Sequence, residues 1–193
     1  MVLVYPNVYA VGMANLGFLA VYGLLNRHED VVCERAFLPD PWEREEMVRT
    51  GNRPFSLESQ RPLDTFAFMA FSLSYENDYP NVASILAMAG IPAARRERSE
   101  EHPLILAGGP AVFLNPEPLA DLMDFFVLGE AEEVIDELLE EIRRWVEIGK
   151  RDDFMHALPR IEGLYVPEFY RPRYDEDGTL AAFEAETGAP PRV

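Results

Sequence analysis

The chain has 193 residues and a formal net charge of -17, which opposes direct binding to nucleic acid because nucleic acids attract basic surfaces. Its single cysteine, Cys33, excludes an internal disulfide and any metal site built from several thiolates. The sequence has no apolar run of the roughly 20 residues that a membrane span needs. Its first residues lack the basic region and cleavage site of a signal peptide, so we expect a cytoplasmic protein that is not embedded in a membrane.

Apolar segments alternate with helical patterns along most of the chain. The predicted strands cover residues 2–5, 66–73, 104–107 and 125–128, and the second strand in chain order lies within residues 30–37, around residues 31–33. The predicted helices, the first capped by Asn15, cover residues 16–25, 42–50, 77–89 and 130–148. This alternation predicts an α/β fold with a doubly wound, five-stranded parallel sheet. The flavodoxin-like order 2-1-3-4-5 fits best and puts a ligand crevice at the carboxyl ends of the strands.

The composition changes after Gly149. A turn pattern at residues 175–178 separates two strand-like segments, and the tail that follows is rich in alanine and proline. We therefore expect residues 1–149 to form the α/β domain. Residues 150–193 are expected to form a β-hairpin and a linker.

The loops at the carboxyl ends of strands one, three, four and five hold the candidate binding residues. These are Asn7, Tyr9 and Gly12, then Ser72 and Leu73, then Gly108, Gly109 and Pro110, and finally Gly129 and Glu130. Glycine lets a ligand approach backbone amides that a Cβ would obstruct. Any one of these glycines can equally serve a tight turn, but four such loops at one sheet edge favour a bound ligand.

Six sequence blocks in chain order carry a family resemblance. They are YPNVYAVGMANLGF, DVVCERAFLP, FSLESQRPL, FSLSYENDYPNV, GGPAVFLNPEPLAD and FVLGEAEEV. With them the chain resembles the N-terminal, cobalamin-binding-type domain of an uncharacterised radical S-adenosylmethionine (SAM) family, which is fused or linked to a domain of unknown function. The resemblance covers essentially the whole chain. It implies a Rossmann-like fold, cobalamin as the cofactor, and a downstream radical SAM barrel of the same polypeptide as the partner.

The sequence departs from the cobalamin pattern at the cobalt ligand. Cobalamin domains that supply a protein ligand carry Asp-x-His-x-x-Gly after strand one, and here Asn7, Tyr9 and Gly12 have that spacing. A phenol with a pKa of about 10 is a poor cobalt ligand at neutral pH. The accompanying Ser-x-Leu motif is also imperfect, because Ser74 stands at its third place. The resemblance therefore implies cobalamin bound without a histidine ligand.

The sequence offers no catalytic centre of its own. A radical SAM 4Fe-4S cluster needs three thiolates in Cys-x-x-x-Cys-x-x-Cys, and Cys33 alone cannot hold it. We expect Cys33 in the core and the cluster and SAM in the downstream domain. His28, His102 and His156 lack metal-ligand spacing, so we predict no metal site and no catalysis from this chain alone.

Two functional hypotheses follow. In the first, this accessory domain binds cobalamin and presents it to the radical SAM barrel, which would imply methyl transfer or another radical reaction in the parent enzyme. In the second, a degenerate cobalamin-type fold binds no cofactor and serves as a substrate-docking or domain-interaction module. A free-standing receiver or nucleotide-binding domain is disfavoured, because the loop after strand one has no carboxylate and no phosphate-binding loop motif occurs.

Overall fold

Six strands form the central sheet of the computed structural model, which describes residues 1–186 and 188–190. The strands are β1 (Val2–Tyr5), β2 (Glu34–Phe37), β3 (Phe68–Ser72), β4 (Leu104–Gly108), β5 (Phe125–Val127) and β6 (Leu164–Tyr165). Their order is β2-β1-β3-β4-β5-β6. The first five strands are parallel, as predicted, and β6 pairs antiparallel with β5. The sequence pattern places residues 163–174 in the first strand of the hairpin, whereas in the structure Leu164 and Tyr165 pair with β5.

Seven α-helices lie among the described residues. They are α1 (Tyr9–Gly12), α2 (Leu16–Leu25), α3 (Pro41–Thr50), α4 (Tyr79–Ala89), α5 (Pro110–Leu114), α6 (Ala131–Ile148) and α7 (Arg151–Ala157). In the described part of the chain, no helix combines the length and the apolar character needed to cross a bilayer.

The two faces of the sheet carry separate hydrophobic cores. Successive residues of a strand point to opposite faces. Accordingly, Val2 and Val4 of β1 join the core under α4 and α5, while Leu3 and Tyr5 join the core under α2, α6 and α7. Because both faces are covered, the central strands are apolar without alternation.

The second strand, β2, lies within residues 30–37 as predicted, but it is not centred on residues 31–33. Strand pairing with β1 begins at Glu34, not within residues 31–33. The backbone of Cys33 is held instead by the side chain of Asn26, which accepts from its N–H and donates to its C=O, each at 3.0 Å. The charged Glu34 can enter the strand because the Ser59 hydroxyl and backbone N–H donate to its carboxylate.

Residues beyond Gly149 continue the core on the sheet. Phe154 and Met155 of α7 and Leu164 of β6 are buried in the core that also contains α6. The hairpin expected around residues 175–178 is present, as β7 (Tyr170–Tyr174) paired antiparallel with β8 (Leu180–Ala185). The linker expected after residue 185 lies partly outside the described residues, at positions 187 and 191–193.

A buried ion network closes the amino edge of the sheet. The Asp124 carboxylate accepts from the Ile105 N–H at 2.6 Å, from Arg98 at 3.2 Å and from Arg151 at 3.3 Å. The Arg98 side chain is only 1% exposed. Burial lowers the pKa of its guanidinium, and the charge of Asp124 acts in the opposite direction. The network ties α7 and the loop before β4 to the start of β5.

Candidate functional site

The carboxyl ends of the parallel strands bring the candidate loops to one edge of the sheet. Ser72 of β3 pairs with Gly108 of β4, and Gly108 pairs with Val127 of β5. The loop after β1 lies beside the loop after β3, because the Asn15 amide donates to the Ser74 hydroxyl at 3.0 Å. Asn15 also caps α2 as predicted, accepting from the Phe18 N–H at 2.9 Å. We call this region the carboxyl edge.

Asn7 is held by the protein itself. Its amide donates to the Asp78 carboxylate at 2.8 Å. The Asn81 amide donates to the Pro6 carbonyl at 2.9 Å, so the start of α4 fixes the loop after β1. Asp78 is 4% exposed, and its second oxygen has no hydrogen-bond partner among the described residues. The sequence analysis missed Asp78, although its position just before a helix could have marked it.

The motif residues Tyr9 and Gly12 pack against β1 and β2. The Tyr9 ring lies edge-on to Phe37 with centroids 5.2 Å apart, and half of Tyr9 is exposed. A Cβ on Gly12 would lie 2.5 Å from a Phe37 ring carbon and 3.1 Å from the Tyr5 Cβ. The space above Gly12 is therefore filled by Phe37, and glycine is needed there for packing.

Gly109 is also required by contacts within the chain. Its backbone has φ 108° and ψ 173°, a conformation that is essentially restricted to glycine. A Cβ there would lie 2.6 Å from the Leu73 carbonyl oxygen. Leu73 donates to the Gly108 carbonyl and accepts from the Ala111 N–H, while Pro110 starts α5. These contacts lock the loops after β3 and β4 together.

The loop after β5 has open space around its glycine, unlike the loops that contain Gly12 and Gly109. Gly129 has φ 121°, and a Cβ there would meet nothing within 4 Å. Glu130 is exposed at the start of α6 and makes no capping hydrogen bond. At Gly108 a Cβ would make only ordinary contacts of 3.5 Å with Val127. The backbone at Gly129 is therefore open to solvent at the β4–β5 side of the carboxyl edge.

The comparison with known families decides the class of this domain. Residues 17–167 match the family model described as radical SAM proteins, N-terminal. The chain belongs to this family. It is also similar to the uncharacterized protein MJ0966 of Methanocaldococcus jannaschii, with 23% identity over 193 residues that cover 96% of this chain and 37% of that protein. No solved structure matches the chain at a significant level.

The family match confirms the radical SAM part of the sequence prediction. The matched family is the N-terminal part of radical SAM proteins. The chain spans little more than a third of the length of its curated relative. Cobalamin binding is a finer prediction that neither the family match nor the relative tests.

The loop after β1 does not fit a site that coordinates cobalt. Phe37 fills the space above Gly12, and Tyr9 occupies the position of the histidine ligand. Two cavities of about 360 and 430 Å³ lie elsewhere, the first beside Tyr165 and Tyr170 and the second beside His102 and Trp145. None of the predicted binding residues lines either cavity. We therefore derive no reaction step through cobalamin.

The loops after β1, β3 and β4 give this radical SAM N-terminal domain an apolar, uncharged surface along part of the carboxyl edge, whereas the loop after β5 carries the exposed Glu130. Aspartate, glutamate, lysine and arginine are absent from residues 1–26, 65–75 and 103–116, although they make up 26% of the chain. Five large side chains project from these segments with exposures above one half: Tyr9 53%, Leu16 81%, Tyr75 64%, Phe113 62% and Leu114 79%. We call these five residues the uncharged rim. The sequence analysis missed the rim, although the lack of charge in the first 26 residues could have marked it.

Proposed function

We propose that this domain is a docking module whose carboxyl edge packs against the radical SAM domain of the same polypeptide. The observation that supports the proposal is the uncharged rim. Soluble monomers seldom expose large contiguous apolar patches, and larger ones mark interaction sites. Charged residues are depleted, and aromatic residues enriched, at the centres of protein interfaces. The uncharged rim has three aromatic rings and no charged residue, although the chain has a net charge of -17. It therefore has the composition of an interface centre.

The internal contacts of the edge support a rigid docking surface. Asn15 joins the loop after β1 to Ser74, Asn7 is fixed by Asp78, and Gly109 packs on Leu73. A surface held in one conformation loses little entropy on binding, so more of the interface energy appears as affinity. The same contacts account for the glycines and the asparagine side chains at this edge, so a bound ligand is not needed to explain them.

The experiment cleaves the polypeptide between this domain and the radical SAM domain after the two have folded together. A protease site is placed in the linker of the polypeptide that carries both domains, and gel filtration after cleavage shows whether the halves stay together. Phe113→Glu is expected to separate them, because burying an unpaired carboxylate lowers affinity by about ten- to a hundredfold. Val48→Glu is the matched control, because Val48 is 84% exposed on the charged helix α3. Equal retention of both variants would refute the docking role.

Cobalamin bound at the β4–β5 side of the carboxyl edge is a second candidate function. The observation that favours it is the open backbone at Gly129, together with the room at Gly108. In this proposal the corrin lies between the carboxyl edge and the radical SAM domain. The N-terminal domain described here supplies no histidine to cobalt.

Visible spectroscopy tests the cobalamin proposal on the purified protein. Hydroxocobalamin is expected to co-elute with the chain on gel filtration and to show a shifted visible spectrum. Gly129→Trp should abolish retention by filling the open space, whereas Tyr9→Phe should leave the spectrum unchanged because the phenol is not a cobalt ligand. Absence of any retention at micromolar protein would exclude cobalamin binding by this domain.

A further inference from the structure

The cavity of about 430 Å³ lies at the amino ends of β3 and β4, on the edge of the sheet opposite the carboxyl edge. Its volume is within the range of about 300–1,000 Å³ that is typical of small-molecule sites. Phe66 and Leu104, both buried beside these strand ends, form part of its apolar lining, and Trp145 of α6 lines it as well. The uncharged rim contributes no residue to it. We call it the amino cavity.

Trp145 is held in place by packing against aromatic neighbours. Its ring lies edge-on to Phe68 with centroids 5.3 Å apart, and it is tilted against Phe154 with centroids 5.6 Å apart. Its indole N–H is buried and has no hydrogen-bond partner among the described residues. Because the residue as a whole is only partly buried, the side chain presents ring carbon to the cavity. Among side-chain rings, the indole attracts cations most strongly.

The charged residues of the lining leave the amino cavity negative. Within the part of the chain that the structure describes, Asp64 is already paired with an arginine, and Arg151 is paired with the buried Asp124. Glu100 and Glu101 also line the cavity, and both are exposed. Their two carboxylates therefore remain without a counter-charge among the described residues.

Arg151 fixes the segment that carries these two carboxylates. Glu100 and Glu101 are the central residues of a turn in which the His102 N–H donates to the Ser99 carbonyl at 3.1 Å. Arg151 donates to the carbonyls of both end residues of the turn, at 3.2 and 3.1 Å. Because the turn is already ordered, little further entropy is lost there when a ligand binds.

We propose that the amino cavity binds a small organic ammonium ion. The ring of Trp145 and the carboxylates of Glu100 and Glu101 provide the two attractions that such an ion meets in proteins, a π-system and negative charge. The end of α6 adds a third, because Gly149 ends the helix at the cavity wall and a helix C-terminus stabilises cations. The site is independent of the docking function, since the rim lies at the opposite edge of the sheet.

Nuclear magnetic resonance of the purified chain tests the amino cavity with choline as the probe. The chain has two tryptophans, so its two indole N–H signals report on Trp145 and on Trp42, and the variant Trp42→Phe assigns them. Choline is expected to shift the Trp145 signal saturably, with a dissociation constant of about 1 mM because so small a ligand makes few contacts. The signal of Trp42, which is 67% exposed on α3, should not move.

An uncharged isostere of choline, with a tert-butyl group in place of the trimethylammonium group, shows whether the positive charge is recognised. It should bind at least about fivefold more weakly, because it has no cation–π attraction. Equal binding of choline and the isostere would overturn the proposal. So would the lack of any saturable shift of the Trp145 signal up to about 10 mM choline.

A matched pair of charge variants tests the role of the turn. Glu100→Gln combined with Glu101→Gln is expected to weaken choline binding about three- to tenfold, the effect of removing two exposed ionic contacts. Glu132→Gln combined with Glu133→Gln removes the same charge from exposed positions in the first turn of α6 and should leave binding unchanged. Equal effects of the two double variants would overturn the assignment. The docking function would stand in that case, because neither pair belongs to the rim.

Discussion

Replacing Asp124 with asparagine is expected to lower the free energy of unfolding by about 3–5 kcal/mol, because it leaves a buried positive charge without its partner. The Arg98 side chain is 1% exposed and that of Asp124 is 7% exposed. Arg98 also donates to the carbonyls of Pro92, Ala93 and Leu122, so it cannot move into solvent without breaking these bonds.

Urea unfolding of the purified chain measures this loss, and Glu168→Gln is the control. Glu168 pairs with Arg95 at 2.8 Å but is 60% exposed, and a surface pair contributes about 0–1 kcal/mol. The double variant Arg98→Met with Asp124→Asn should recover part of the loss, because it removes the uncompensated charge. If Asp124→Asn and Glu168→Gln destabilise equally, the buried network has no special role.

Replacing Gly109 with alanine is expected to lower the free energy of unfolding by about 2–6 kcal/mol. Two costs add: a conformation restricted to glycine costs about 1–3 kcal/mol, and overpacking costs about 1–3 kcal/mol. The backbone of Leu73 is the obstacle, with its carbonyl oxygen 2.6 Å from the new Cβ. This oxygen accepts from the Ala111 N–H, and the Leu73 N–H donates to the Gly108 carbonyl, so the backbone cannot rotate away as a side chain can.

Gly129→Ala is the matched control for this prediction. Gly129 lies at the same edge with φ 121°, but a Cβ there meets nothing within 4 Å. It should therefore show only the conformational cost, and Gly109→Ala should be the more destabilised variant in urea unfolding. The reverse order would mean that Gly109 is not held by packing and that its glycine serves another purpose, such as ligand approach.

Local sequence patterns predicted the elements that are stabilised by contacts between residues close in sequence. The side chain of Asn15 caps α2 three residues away, and the turn at residues 175–178 forms within the hairpin. Strand β2 begins after the predicted centre at residues 31–33 because Asn26 binds the backbone of Cys33, a contact that apolar content does not reveal. Helix α7 was missed because its sequence, RDDFMHA, is polar except where Phe154 and Met155 enter the core.

The strand order brings the candidate loops to one edge of the sheet, but the contacts of their residues depend on distant parts of the chain. The strand pattern correctly brought the loops after β1, β3, β4 and β5 to one edge. The role of Gly12 depends on Phe37, and that of Asn7 on Asp78, both of which are distant in sequence. Such long-range contacts are fixed only when the sheet has formed. The lack of charge in the first 26 residues was visible from the start, but which of those residues are exposed was not.

Hydroxyl-radical footprinting of the polypeptide that carries both domains tests the docking role most directly, because it measures the solvent access of individual side chains. Tyr9, Tyr75 and Phe113 of the rim are compared with Phe55, which is 49% exposed on the loop between α3 and β3. If the carboxyl edge is docked, the rim aromatics will be oxidised more slowly than Phe55, despite their greater exposure in this domain. Oxidation of the rim aromatics at or above the rate of Phe55 would show that the edge is free and would contradict the proposed function.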